Sequence, residues 1–229
     1  MEYYREGDIT VIKVGPLKPY SNNAYVVADT ATRDAMLIDM PADADDDEGK
    51  TAASGARVIS ALSDAALKGA KVRSIVATHW HPDHWMSYDN IRAATGAPVA
   101  VYEHEIKVPA ERIDQKLSDG QELRCGSARL RVIHTPGHTP GSISLLLGKL
   151  LLTGDTLFNG GPGRTQAHAD LLTEIEAIVG KLYKLPDDVQ VWPGHGDGTT
   201  IGASRKEYAV FASKQHAGDL CGDVTWTES

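Results

Sequence analysis

The sequence has little of several features that point to particular classes of protein. It contains two cysteines, Cys125 and Cys221, which are too few for a disulfide framework and do not form a C-x-x-C pair. No apolar run approaches the roughly 18 residues that a membrane span requires. The first residues, MEYYREGDIT, lack the basic start and apolar core of a signal peptide. These absences predict free thiols, no membrane contact and a cytoplasmic location.

Basic residues are also in the minority. The 229-residue chain has 23 Lys and Arg against 31 Asp and Glu, a formal net charge of −8. Binding to nucleic acid needs concentrated positive charge, so the composition disfavours that partner and leaves a small-molecule substrate as the expected one. Composition says nothing about the oligomeric state.

Strand-like runs alternate with helical segments in two similar halves. Strands are predicted at residues 8–14, 23–28, 35–39, 72–78, 97–102, 128–134, 142–147, 149–153 and 189–192. Helices are predicted at residues 51–71, 90–95 and 170–185, the last with Asp170 as N-cap, and within 203–214. The acidic segment 41–50 is predicted to be a mobile surface loop. Because no linker interrupts this pattern, residues 1–229 are predicted to be one α/β domain, with sheets packed face to face and helices outside.

The segment VATHWHPDHWMS concentrates potential metal ligands directly after a predicted strand. His79 and His81 are two residues apart, so in an extended backbone both side chains point the same way. Pro82 then bends the chain, and Asp83 and His84 could face a second ion. Imidazole nitrogen with carboxylate oxygen is a ligand set that suits zinc, iron or manganese.

Three more such residues occupy similar positions, each after an apolar strand and beside a glycine. They are His138, Asp155 and His195. Each by itself is typical of an ordinary loop or turn residue. Together with the four-residue cluster they predict a metal centre assembled from loops at one edge of the sheets.

The motifs H-x-H-x-D-H, TPGHTPGS, TGDTLF and PGHG, in this order, resemble those of the metallo-β-lactamase superfamily. The resemblance covers nearly the whole chain and implies a four-layer αββα sandwich. It implies that His79, His81 and His138 bind one metal ion. Asp83, His84 and His195 would bind a second, with Asp155 bridging both.

The resemblance also implies a chemistry. Two divalent cations, zinc first and iron or manganese as alternatives, would share a hydroxide that attacks a polarised carbonyl group. Asp83 is assigned a catalytic role together with this hydroxide. No side-chain nucleophile is needed, which is consistent with the lack of a G-x-S-x-G motif.

Residues 153–165 and 185–202 look most like the glyoxalase II branch, which hydrolyses thioesters. Persulfide dioxygenases are similar and use one iron, here at His79, His138 and Asp155; lactonases and β-lactamases share the motifs too. Only 34 residues follow His195, fewer than the helical region that helps that branch to bind glutathione. Whether the substrate contains glutathione therefore stays open.

Several neighbouring residues have two interpretations. Trp80 and Trp85 could form an apolar wall for an acyl group or pack against the first sheet. Arg164 could bind a substrate anion or form a structural ion pair. Asp39 is predicted to order nearby loop amides and to support the ligands. Relatives suggest that residues 20–22 shape the floor of the pocket.

Overall fold

A computed structural model describes residues 2–43 and 55–229 of the chain. Within these ranges the strands are β1 (Glu2–Glu6), β2 (Ile9–Leu17), β3 (Asn22–Asp29), β4 (Asp34–Ile38), β5 (Lys71–Val76), β6 (Val99–Tyr102), β7 (Gln115–Leu117), β8 (Glu122–Cys125), β9 (Ala128–His134), β10 (Ile143–Leu147), β11 (Leu150–Gly154), β12 (Leu157–Phe158), β13 (Gly161–Pro162), β14 (Gln190–Pro193) and β15 (Thr199–Thr200). The helices are α1 (Ala56–Ala61), α2 (Tyr88–Thr95), α3 (His168–Gly180) and α4 (Ile201–Ala212).

Two large sheets organise these strands. In the first sheet, β1 to β7 lie side by side in chain order, antiparallel up to β4 and parallel from β4 to β7. The second sheet has the order β15-β14-β11-β10-β9-β8, in which β11 and β14 are parallel. β12 and β13 form a small separate hairpin.

Alternating side chains bury both faces of the central strands. In β3, Tyr25 and Val27 pack between the two sheets, whereas Ala24 and Val26 face the core that contains α1 and α2. In β11, Leu150 and Leu152 fill the space between the sheets, and Leu151 faces the core under α3 and α4. Successive residues of a strand point to opposite faces, so these runs can be apolar throughout. The result is the predicted αββα sandwich.

The helical predictions need two corrections. Among the described residues, α1 covers Ala56–Ala61 rather than 51–71, and residues 51–54 lie outside the described ranges. Asp64 accepts a hydrogen bond from the Ala66 amide and starts a separate 3-10 turn, which competes with continuation of the helix. The helix α3 begins at His168 after Ala167, so Asp170 lies in the first turn, where its charge suits the helix dipole, and is not the N-cap.

The acidic segment 41–50 is described only in part. Residues 44–50 lie outside the described ranges, and residues 41–43 are buried, not part of an exposed loop. The carboxylate of Asp43 accepts hydrogen bonds from the amides of Gly55 and Arg57 at the start of α1. None of the helices in the described ranges is long and apolar enough to cross a membrane.

Candidate metal centre

The seven predicted ligands meet where strands of both sheets end. Four of them follow β5 of the first sheet, and the other three follow β9, β11 and β14 of the second. Among the described residues their ligand atoms form overlapping groups, each within 4.8 Å. We call His79, His81 and His138 the first group and Asp83, His84 and His195 the second group; His79, His84 and Asp155 form a third set that links them.

Asp39 and Thr78 orient His79 from behind. The Thr78 hydroxyl donates to Asp39 Oδ2 at 2.9 Å, so its oxygen can accept the Nδ1–H of His79 at 3.0 Å. The Thr78 amide donates to the other carboxylate oxygen of Asp39 at 2.7 Å. With Nδ1 carrying the proton, the Nε2 lone pair of His79 points into the site.

The same carboxylate orients His84. A 3-10 turn at Pro82–His84 follows the extended segment and turns His84 back into the protein, where it is fully buried. His84 Nδ1 lies 3.0 Å from Asp39 Oδ2. Asp39 therefore supports both groups, through Thr78 for the first and directly for the second, as the sequence suggested for this residue.

Backbone carbonyl groups orient two further rings. His138 Nδ1 lies 2.9 Å from the Arg164 carbonyl oxygen, and His195 Nδ1 lies 2.7 Å from that of Tyr20. A carbonyl can only accept, so both rings carry their proton on Nδ1 and present Nε2 to the site. His81 differs, because its Nδ1 faces the site, 2.7 Å from His138 Nε2.

Asp155 lies between the two groups. Its Oδ2 is 3.7 Å from His138 Nε2 and 3.2 Å from His195 Nε2, and its Oδ1 is 3.4 Å from His84 Nε2. Gly194 makes this approach possible, because a Cβ atom there would stand 2.2 Å from Asp155 Oδ1. The carboxylate is thus placed where it can contact ions in both groups.

The histidines of the two groups differ in the direction of their pKa shifts. Burial lowers the pKa of His79 well below its usual value and that of His81 to about 4, which favours the neutral form of both rings. Burial also disfavours charge on His195, but hydrogen bonds with Asp155 and Asp83 raise its pKa to about 10. Burial opposes ionisation of Asp155 as well, yet the neighbouring His84 charge holds the pKa of that carboxyl group well below its usual value.

The donor set fits divalent cations. His79 Nε2 and Asp155 Oδ1 are buried and have no hydrogen-bond partner among the described residues, although both face other ligand atoms. Buried polar atoms that lack partners are costly, and a bound cation removes that cost. Imidazole nitrogens with oriented tautomers and carboxylate oxygens are the ligands that zinc, iron and manganese take.

The residues proposed to contact substrate lie in different environments. Trp80 is half-buried with its ring centre 4.5 Å from that of His81, and Lys107 Nζ lies 4.1 Å from the Trp80 ring centre. Trp85 is buried in the core, and its indole N–H donates to the His79 carbonyl at 2.8 Å. It packs beneath the ligands, not along an exposed wall. Arg164 is exposed and lies 3.7 Å from the Asp223 carboxylate, an ion pair at the surface.

Some supporting residues were not found from the sequence. Lys13, Asn23 and Tyr25 donate hydrogen bonds to the carbonyl groups of Pro193 and Gly196, which flank His195. They lie on β2 and β3 of the first sheet, whereas His195 follows β14 of the second. No local pattern in the sequence relates such distant segments.

Glu174, a buried residue of α3, is another residue that was not found from the sequence. It is fully buried on α3, and burial raises the pKa of its carboxyl group well above the usual value. A Cβ atom on Gly137, which has φ of 142°, would stand 2.2 Å from Glu174 Cβ. The helical spacing of Leu171, Glu174 and Ile178 could have placed it on the buried face.

Comparison with known proteins decides the family. The model of the metallo-β-lactamase superfamily matches residues 17–195, a span that includes all seven predicted ligands. The chain belongs to the metallo-β-lactamase superfamily. Within the superfamily, it is 35% identical to a hydroxyacylglutathione hydrolase of Anaeromyxobacter dehalogenans over 176 residues, covering 77% of this chain and 62% of that one.

Solved structures of metallo-β-lactamase fold proteins are similar too. ETHE1 from Myxococcus xanthus matches with a TM-score of 0.72 and 27% identity, over 94% of this chain and 86% of that one. The B3 metallo-β-lactamase BLEG-1 matches with a TM-score of 0.70 and 28% identity, over 86% and 96% of the two chains. Superfamily members with different names therefore share this architecture.

Proposed function

We propose that the protein is a binuclear metal-dependent hydrolase that cleaves a small thioester or ester. The observation that carries the proposal is the geometry of the centre: seven ligand side chains from four strand ends converge, and Asp155 lies between the two groups. The similarity to a hydroxyacylglutathione hydrolase supports a thioester as the substrate.

Different side chains would bind each of the two cations. The first group would bind one cation and the second group the other, with Asp155 contacting both. When bound, divalent cations, zinc in our proposal with iron or manganese as alternatives, supply hydroxide at neutral pH and polarise the carbonyl group of the substrate. Asp39, Thr78 and the carbonyls of Tyr20 and Arg164 hold the imidazole rings in the required tautomers.

Asp83 is the carboxylate of the centre that lies nearer the solvent. Its side chain is 23% exposed, against 9% for Asp155, and Asn22 donates to its Oδ2 at 2.9 Å. Burial disfavours its charge, but hydrogen bonding with His195 and the charge of His84 keep its pKa below the usual value. We assign Asp83 the role of orienting the attacking hydroxide from this side. Trp80 and Arg164, at the rim, are the proposed substrate contacts.

A mononuclear iron dioxygenase that acts on persulfides is the second candidate. Asp155 Oδ2 lies 3.7 Å from His138 Nε2 and 4.0 Å from His79 Nε2, so these three side chains could hold a single iron. The presence of a complete second group favours the binuclear hydrolase.

Bound metal and a substrate panel together test the proposal. The purified protein is analysed for zinc, iron and manganese and assayed with acyl thioesters, lactones and β-lactams, and for oxygen uptake with a persulfide. We expect two metal ions per chain and thioester or ester cleavage. Stoichiometric iron with persulfide-dependent oxygen consumption and no thioester cleavage would show that the hydrolase proposal is wrong, and preferential turnover of a lactone or β-lactam would redirect it.

A further inference from the structure

The side-chain amide of Asn22 lies against the second group. Asn22 begins β3, is fully buried, and pairs through its backbone with His195 in an isolated antiparallel bridge. Its Nδ2 atom is 2.9 Å from Asp83 Oδ2 and 3.4 Å from the Nε2 atoms of both His84 and His195. One atom of this amide thus contacts every member of the second group.

These four atoms outline a tetrahedral cage. The three remaining distances among them are 3.2 Å between His84 Nε2 and His195 Nε2, 3.5 Å from His84 Nε2 to Asp83 Oδ2, and 3.2 Å from His195 Nε2 to Asp83 Oδ2. A regular tetrahedron with edges of about 3.3 Å has its centre about 2.0 Å from each corner, the distance at which zinc binds nitrogen and oxygen ligands. The Asn22 amide therefore closes one side of a cage that matches a cation in size, while Asp155 approaches the same two histidine nitrogens at 3.4 and 3.2 Å.

The orientation of an amide can reverse. Oxygen and nitrogen of the group have nearly the same shape, so rotating the amide by half a turn exchanges them with little change in packing. In this structure the N–H group faces inward, because it can donate to Asp83. Asn22 Oδ1 then lies buried without a hydrogen-bond partner among the described residues. A cation in the cage reverses the preference, since a carbonyl oxygen can bind it and an N–H group cannot.

We propose that Asn22 Oδ1 is a ligand of the second cation, in addition to the histidines and aspartates of the motifs. The inference rests on the proposed two-cation site and adds an oxygen ligand from the first sheet to it. The neighbouring Asn23 provides a comparison within the same strand. It is equally buried, but its Nδ2 donates to the carbonyls of Pro193 and Gly196 and contacts no member of the second group.

Metal affinities of three variants test the assignment. Zinc is titrated into metal-free wild type, Asn22→Ala, Asn22→Asp and Asn23→Ala in competition with a chromophoric chelator, which resolves a first and a second binding event. We expect Asn22→Ala to weaken the second event by at least about tenfold and to leave the first unchanged. Asn22→Asp keeps an oxygen at the same corner and adds a negative charge, so it should bind the second ion as tightly as wild type or more tightly.

A zinc-loaded crystal structure of the wild type separates a ligand from a hydrogen-bond donor. An Asn22 side chain that still donates to Asp83 and lies beyond bonding distance of the second zinc ion overturns the proposal. An unchanged second event in Asn22→Ala, or an equal loss in Asn23→Ala from a loosened His195 loop, overturns it too. If Asn22→Ala does not fold, the zinc-loaded wild-type structure decides alone.

The number of zinc ions that wild type binds distinguishes a failure of the proposed binuclear function from a failure of the Asn22 ligand assignment. A wild-type protein that binds one zinc ion contradicts the binuclear function, and the Asn22 ligand with it. Two ions in wild type with no effect of Asn22 substitution contradicts the ligand assignment and leaves the binuclear function intact.

Discussion

The first and second groups of the candidate metal centre are built from different side chains, and the pKa values of their histidines shift in different directions. The first group contains three imidazoles, and burial lowers the pKa of each, to about 4 for His81. In the second group, hydrogen bonds with Asp155 and Asp83 raise the pKa of His195 to about 10 despite its burial. The neighbouring carboxylates therefore favour the protonated form of His195, whereas burial favours the neutral form of the first-group imidazoles.

The two groups also differ in how they are supported. Within the first, Thr78 follows β5 like His79 and orients it, and the carbonyl of Arg164, which follows the hairpin β12–β13 in the same half of the chain as His138, orients His138. In the second, the Tyr20 carbonyl and the side chain of Asn22 reach across from the first sheet to His195. The second group thus depends more on how the two sheets pack, and substitutions should separate the two sites.

Replacing Asp155 with alanine should disrupt both metal sites, because this carboxylate contacts both groups. We expect both metal ions to be lost on dialysis and turnover to fall by more than about a hundredfold. Metal content by mass spectrometry and initial rates measure this. The exposed Asp223 provides the matched control, since Asp223→Ala should keep both ions. Two tightly bound ions in Asp155→Ala would contradict the bridging assignment.

Replacing one histidine from each group should weaken the binding of one metal ion at a time. We expect His195→Ala to weaken mainly the second ion and His81→Ala mainly the first, each by about 10- to 100-fold. Both side chains are only partly buried, so neither change leaves a large core cavity. Competition with a chelator measures the two affinities separately. Equal loss of both ions in both variants would mean that the groups act as one site.

The Thr78→Val substitution should weaken metal binding by the first group, but less than the replacement of a ligand does. Valine has nearly the same shape but cannot accept the Nδ1–H of His79 or donate to Asp39, so the His79 ring loses its fixed tautomer. We expect about tenfold weaker binding of the first ion. Ser87→Ala is the control, because that buried hydroxyl donates to the Pro41 carbonyl, away from the ligands. An unchanged first affinity would show that Thr78 has no orienting role.

A substitution far from the metal centre should lower the stability of the fold and leave the metal affinities of both groups unchanged. Asp29 accepts hydrogen bonds from the Ser127 amide and hydroxyl and from the amides of Ala31 and Thr32, which lower the pKa of its carboxyl group despite burial. A depressed folded-state pKa stabilises the protein above the unfolded value, near pH 4, and that stability is lost as the pH falls through the folded value. We expect Asp29→Asn to lower the free energy of unfolding by about 1–3 kcal/mol at pH 7.

Urea unfolding of Asp29→Asn and wild type measures this difference as a function of pH. The gap should narrow on acidification below about pH 4, where wild type begins to lose the same contribution. A gap that does not change with pH would mean that Asp29 acts through packing, not charge. Metal affinities at pH 7 should match those of wild type for both groups.

Much of the scaffold could be predicted because its signals are local. The β-branched and leucine-rich runs predicted β5, β9, β10, β11 and β14 to within a few residues, since a strand buried on both faces is apolar throughout. The position of His79, His138, Asp155 and His195 after such runs placed them at one edge. Helix ends were less predictable: α1 ends at Ala61, and Asp64 then accepts a hydrogen bond from the Ala66 amide at a separate 3-10 turn, although the apolar spacing indicated a longer helix.

The amino-acid sequence by itself determined the superfamily, the layered architecture and the seven candidate ligands, because residue type and strand-exit position are properties of short segments. Only the tertiary structure decided the rest. It buried Trp85 beneath His79, set Asp39 behind both groups, and brought Asn22 within 3.4 Å of His84 and His195, residues that are 62 and 173 positions away. Such contacts arise where two sheets pack together, and no local pattern of residues encodes which side chains face each other across that junction.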